Sequence, residues 1–135
     1  MTKGRDIRDF AVALRKCGMY MESVDERIAR YRQIIQEILS RLAAIPNLEE
    51  GIEDHTVFDT QTDGYAVIAE GWDGEERVHH IVAHMEILNG KVWIQADNTD
   101  LVIASKLESR GIPKSDIVLG FRPPAVRSES EYAVA

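Results

Sequence analysis

The sequence predicts an α+β fold: an antiparallel meander sheet of four to five strands, with a long N-terminal helix and a second helix packed on one face. Three observations support this. An apolar stripe with alternating 4–3 spacing runs to Ile45 and stops at Pro46, which marks one long helix. Beyond Pro46 the apolar period falls to two, the spacing of a half-buried strand. The pairs Asp63-Gly64, Asp73-Gly74 and Asn89-Gly90 punctuate those strands, and such pairs tolerate the positive φ of tight hairpins.

The helix opens at Ser23, where Glu26 three positions on completes a capping box. Val24, Ile28, Tyr31, Ile35, Ile38, Leu42 and Ile45 form its stripe, and Ile34 and Leu39 widen it beyond a coiled-coil seam. It therefore reads as a core-facing helix. Upstream, Ile7, Phe10, Leu14, Cys17 and Met21 keep a 3–4 rhythm across Gly18. We treat residues 1–22 as a helical extension and 23–135 as one α+β domain.

Strands are expected over 53–59, 65–72, 77–88 and 91–97. The Asn89-Gly90 loop sets Ile87 opposite Val92, Met85 opposite Ile94 and Ala83 opposite Ala96. On the other side it sets Glu86 opposite Trp93 and His84 opposite Gln95. A two-residue loop at Asp73-Gly74 sets Glu70 opposite Arg77, Ile68 opposite His79, Val67 opposite His80 and Tyr65 opposite Val82. Both hairpins then assign Ile68, Ile81, Met85 and Ile94 to the core face. A second helix, capped by Asn98 or Thr99, carries Leu101, Ile103, Ala104 and Leu107 and ends at Gly111 before Pro113. A short strand over 117–119 follows, and the apolar tail at 132–135 is expected to dock.

At 135 residues one compact domain is expected. The net charge of −7 is unevenly spread. Residues 1–20 hold Lys3, Arg5, Arg8, Arg15 and Lys16 against Asp6 and Asp9, whereas 51–135 hold seven basic and fifteen acidic groups. Nucleic-acid binding draws on phosphate neutralisation, so direct binding by this globule is disfavoured. No apolar run is long enough to span a membrane, and the N-terminus lacks a signal peptide's apolar centre. A single Cys17 makes no internal disulfide. A cytoplasmic location is expected.

Catalytic patterns are sparse. His80 and His84, on one face in this register, stand about 13 Å apart along a strand. One metal ion, held about 2 Å from each nitrogen, does not bridge that gap. There is no G-x-S-x-G, no phosphate-cradling Gly loop and no E-x-K triplet. No metal or cofactor is expected. The second sheet face is left as a contact surface: Tyr65 and Val67 with Trp93 beside His80, His84 and Gln95. Aromatics rimmed by polar groups are enriched at protein contacts. Phe121, Arg122, Pro123, Pro124 and Arg127 add rigid prolines between two arginines.

Five stretches carry a family resemblance: YRQIIQEIL (31–39), GWDGEERVHH (71–80), KVWIQADNTD (91–100), GIPKSDIVLGFRPP (111–124) and EYAVA (131–135). Together they resemble the XisI family, named for the fdxN element excision controlling factor of cyanobacteria, over about 24–135. The resemblance implies a small α+β protein associated with excision of a DNA element by a site-specific recombinase, usually with a nuclease-like companion, XisH. No catalytic residues come with it. Arg122 stands where the family tends to have His before the double proline, and the first twenty residues are extra.

The expected function is a non-enzymatic regulatory factor that contacts a XisH-like partner, in one version as an antitoxin-like inhibitor, and reaches a recombinase only indirectly. A homodimer or higher homo-oligomer is expected, because the upstream stripe and the Trp93 face are short of cover. One alternative is a small hydrolase or nuclease using His80, His84, Gln95 and Asp97 in a sheet-face cleft. Another is a DNA-binding accessory using the basic N-terminal helix with Arg122 or Arg127.

Overall fold

The computed structural model describes residues 21–135. Expectations for the N-terminal extension, Cys17 included, lie outside the described residues. Helix α1 (Val24–Ala44) begins with the expected capping box. Ser23 Oγ accepts from the Glu26 amide at 3.1 Å, and the Ser23 amide donates to Glu26 Oε1 at 3.3 Å. Ile45 leaves the helical conformation immediately before Pro46, because proline's ring disfavours the helical region for its predecessor. The widened stripe is the one buried: Tyr31, Ile34, Ile35, Leu39 and Leu42. Val24 and Ile45, at its ends, are exposed.

Five strands follow in spatial order β1-β2-β3-β4-β5. They are β1 (Ile52–Asp59), β2 (Gly64–Asp73), β3 (Glu76–Leu88), β4 (Lys91–Asp97) and β5 (Ile117–Leu119). The first four form an antiparallel meander; β5 joins β4 in parallel after helix α2 (Ile103–Ser109) crosses over. A 3₁₀ turn (Lys114–Asp116) precedes β5, and a short helix α3 (Pro124–Arg127) follows it. One sheet face packs on α1 and α2, where Tyr65, Val67, Ala83, Met85, Ile87, Val92 and Ile94 meet the buried helix residues. Burial of each large side chain contributes roughly 1.5–3 kcal/mol.

Register separates the expectations. At Asn89-Gly90 both residues take positive φ, 51° and 77°. Ile87↔Val92, Glu86↔Trp93 and Met85↔Ile94 pair as the turn dictates. Past Met85 the ladder slips, so His84 faces Ala96 and Ala83 faces Asp97. The other hairpin turns one residue later than expected. Asp73 pairs with Glu76, leaving Gly74 and Glu75 as the loop, so Glu70 pairs with His79 and Ile68 with Ile81. A second slip, at Val67/Ile68, leaves Val82 as the extra residue and pairs Val67 with Ala83 and Tyr65 with Met85.

These bulges reassign the faces, since one added residue inverts alternation. Tyr65 and Val67 are fully buried in the helix-side core rather than on the second face. Ile68 and Ile81 look the other way, and Ile81 is 42% exposed. The Tyr65 ring meets Phe58 edge-on, and its hydroxyl donates to Asp63 at 2.8 Å. Asp63 also receives both Arg32 donors, at 2.7 and 3.0 Å. That guanidinium holds the carboxyl below the ordinary Asp range.

Helix α2 starts without a side-chain cap on its N-cap residue, Val102. Neither Asn98 nor Thr99 does the capping expected of it. Instead Asp97, on the helix side of β4, accepts from the Ile103 amide at 2.9 Å and from Thr99. Leu101 lies ahead of the helix and is exposed, while Ile103, Ala104 and Leu107 are buried.

Candidate interaction surface

The sheet face turned away from α1 and α2 has two unlike halves. Over β4 and β5 the chain covers itself. After β5 it turns at Phe121 to Pro123, forms α3 and returns so that the Ala133 amide donates to Ile117 O at 2.9 Å. Ala133 thereby bridges Val118 in parallel, and Val118 is fully buried. The expected docking of the apolar tail is what the structure shows.

Trp93 lies under this cover. The Arg127 guanidinium sits 5.1 Å from its ring centroid. Arg127 Nε donates to Arg122 O at 3.0 Å and Leu119 O at 3.2 Å, and the terminal nitrogens reach Val134 O and Gly120 O at 3.4 and 3.5 Å. Its charge is committed to backbone carbonyls inside the chain. The Trp93 indole N–H is buried without a hydrogen-bond partner among the described residues. Trp93 and Arg127 are thus partly covered, the ring by the guanidinium and the guanidinium's donors by backbone carbonyls of the chain itself. Phe121, Arg122, Pro123 and Pro124 remain exposed at the turn, with the Arg122 guanidinium 5.7 Å from the Phe121 ring. Tyr132 fastens the return by donating to Glu108 at 2.6 Å. That bond, helped by burial, pushes its phenol up to about 12.

Over β1 to β3 the same face is bare. Alternation from the observed pairs places Glu53, His55, Val57 and Asp59 of β1 there. Ala66, Ile68, Glu70 and Trp72 of β2 lie beside Arg77, His79, Ile81 and His84 of β3. Trp72 is 55% exposed and Val57 53%. Arg77 covers the Trp72 ring at 5.4 Å and reaches Glu70 at 3.5 Å, and His55 Nε2 lies 3.1 Å from Glu70. Four carboxylates, Glu53, Asp59, Glu70 and Glu86, face outward here with one guanidinium, Arg77. The Gln95 amide donates to Glu86 at 3.0 Å, which ties Gln95 to this face.

Trp72 had no place among the sequence candidates, yet the signal was present. It stands one residue before a D-G pair, at the tip of the hairpin formed by the two longest strands, 10 and 13 residues. A tip that outruns its neighbours has little to cover it.

The hydrolytic alternative fails on geometry. His80 pairs with Ala69 on the helix side, whereas His84 faces outward beside Ala66. The bulge at Val82 parts them. Asp97 is turned to the helix side and caps α2, and Gln95 is on the outer face. The four residues do not converge. Among the described residues no group of three or more His, Cys, Asp or Glu side chains is placed to hold a metal ion. No described helix is long and apolar enough to cross a membrane.

Comparison with known proteins bears on the same residues. The family model for XisI protein matches residues 25–134. The chain belongs to the XisI family. The crystal structure of fdxN element excision controlling factor XisI from Anabaena variabilis ATCC 29413 is similar at 39% identity and TM-score 0.72, over 81% of this chain and 99% of that one. A XisI-like protein from the same organism is 32% identical with TM-score 0.76, over 79% of this chain and 98% of that one. No curated protein matches the chain. Both the covered Trp93 and the bare hairpin tip fall inside the stretch matched to the XisI model.

Proposed function

We propose that this XisI-family chain is a non-enzymatic regulator of site-specific DNA excision that works by protein contact through the bare half of its sheet. Membership of the family and the 39%-identical relative named an excision controlling factor support the process. The observation that carries the mode of action is the outward strip of Val57, Ile68, Trp72 and Ile81 framed by carboxylates in a chain of net charge −7. An exposed aromatic among aliphatics is the anchor type that dominates binding energy. An acidic frame complements a basic partner and repels a duplex.

The partner this fits is a XisH-like, nuclease-like protein, since a channel that takes a nucleic acid draws on basic side chains to neutralise phosphates. Seating the acidic strip in that channel would block it, as an antitoxin does, and a recombinase would feel the effect only through the partner. The test is a pull-down with the neighbouring XisH-type protein. Wild type retains the partner at micromolar concentration, and Trp72→Ala with Ile81→Asp weakens retention about tenfold or more. No complex, or a complex indifferent to the double substitution, overturns the proposal.

A further inference from the structure

On the opposite side, where α1 ends against α2, lies a groove of about 360 Å³. Ile38, Leu42 and Ile103 floor it, and Ile45 and Leu101 form its lip. Arg41, Lys106 and Arg110 rim it. Arg110 is paired with Glu37, but neither Arg41 nor Lys106 has an ion-pair partner among the described residues. A basic rim is a local reversal in a chain that carries 23 acidic and 16 basic groups.

The lip is held open at a cost. Val102 takes φ 52° in the left-handed region, where a β-branched residue is a true outlier. With its backbone in that conformation, Leu101 and Val102 stand 42% and 55% exposed. Such strain marks a place where the surrounding structure over-determines the backbone.

The same end of the molecule carries a complementary feature. Three residues beyond the lip residue Ile45, the Leu48 side chain stands fully in solvent. Glu49 and Glu50 follow it, both exposed. An apolar tip with two carboxylates matches an apolar groove with two cations, Arg41 and Lys106, on its rim, and within one molecule Leu48 stays in solvent. Residues 1–20, with five basic and two acidic groups, share the sign of the rim and are disfavoured as its occupant.

We propose that two copies of this chain pair here, each placing Leu48 in the partner's groove with Glu49 and Glu50 against Arg41 and Lys106. Because tip and groove lie at one end of α1, a two-fold axis there makes both contacts at once, the self-complementary arrangement of a closed dimer. The groove is on the helix side of the sheet, and Leu48→Asp and Arg41→Glu leave Val57, Ile68, Trp72 and Ile81 in place, so the pairing is tested apart from the excision-partner reading.

Light scattering on the full chain across micromolar concentrations tests it. Wild type is expected as a dimer. Leu48→Asp and Arg41→Glu should each raise the dissociation constant about tenfold or more, with the circular dichroism of the folded chain unchanged and the melt lowered only where wild type is dimeric, since both side chains are exposed in the single chain. Joining Arg41→Glu to Glu49→Arg should restore dimerisation, a rescue that a folding defect would not give. A wild-type monomer throughout the range overturns the proposal. So does a dimer indifferent to both single substitutions, which would place assembly elsewhere, or a charge swap that fails to restore it.

Discussion

Trp93 and Trp72 lie on the same face of one sheet, and each carries an arginine over its ring, at 5.1 and 5.4 Å. The two arginines are otherwise unlike. Arg127 is fixed by four backbone carbonyls of the segment that closes over Trp93. Among the described residues Arg77's polar contacts are Gly71 O and Glu70, and it leaves Trp72 half in solvent. An aromatic beside a cation is therefore no sign of a contact surface by itself. What separates the two sites is whether the cation's remaining donors are occupied by the chain's own backbone. Where they are, the ring belongs to the fold; where they are not, it remains available to a partner.

The sharpest way to break this contrast is Arg127→Ala. Charge-assisted bonds to carbonyls contribute more than neutral ones, so the loss should cost about 2 kcal/mol. It should also release the tail: amide exchange at Ala133 should quicken, and Trp93 fluorescence should shift toward that of an exposed indole. Arg77→Ala should do neither. Equal effects of the two substitutions would erase the distinction.

A smaller effect is expected at Asp63, which pins the β1–β2 turn to α1 and serves neither tryptophan. Its folded pKa is lowered, with the hydrogen bond from Arg32 as the largest cause. A carboxyl so placed stabilises the fold above its unfolded pKa of about 3.9, and the contribution fades as pH falls through the lower folded value. Asp63→Asn should cost about 1 kcal/mol at neutral pH, discounted because Arg32 is partly exposed. Its deficit against wild type should narrow in acid, as denaturant melts at pH near 7 and near 3 would show. A constant deficit would mean that the charge is not what matters there.

Least of all should change with Trp72→Ala. An exposed side chain away from special features contributes within about 0.5 kcal/mol, so the melt should stay put while partner retention falls. A large loss of stability would show that the tip is part of the core after all.

The sequence made the elements legible and the faces only in part. The α1 capping box, the Asn89-Gly90 turn and the three pairs beside it follow from local chemistry, and the structure matches them. Bulges have no comparable signature. In Tyr65-Ala66-Val67-Ile68-Ala69 both alternating sets are apolar, so composition does not choose which faces α1. The choice rests on one unpaired residue, Val82, whose side chain resembles its neighbours. The same ambiguity put Tyr65 on the contact surface, where the structure buries it, and joined His80 to His84, which the structure separates. Tail docking was legible in the apolar 132–135, but not that it would close over Trp93, since that depends on where α3 turns.

Val82 acts as a swivel in the longest strand. Every residue of β3 on the hairpin-tip side owes its orientation to that single intercalated position rather than to its own chemistry. Were the slip closed with every residue kept, Val82 would face Ile68, sending Ile81 and His79 inward and driving His80 and Val78 out. A deletion at 82 would instead leave Val67 opposite Ala83 and Ile68 opposite Ile81, so the outer face would keep its residues while the strand lost its local bend.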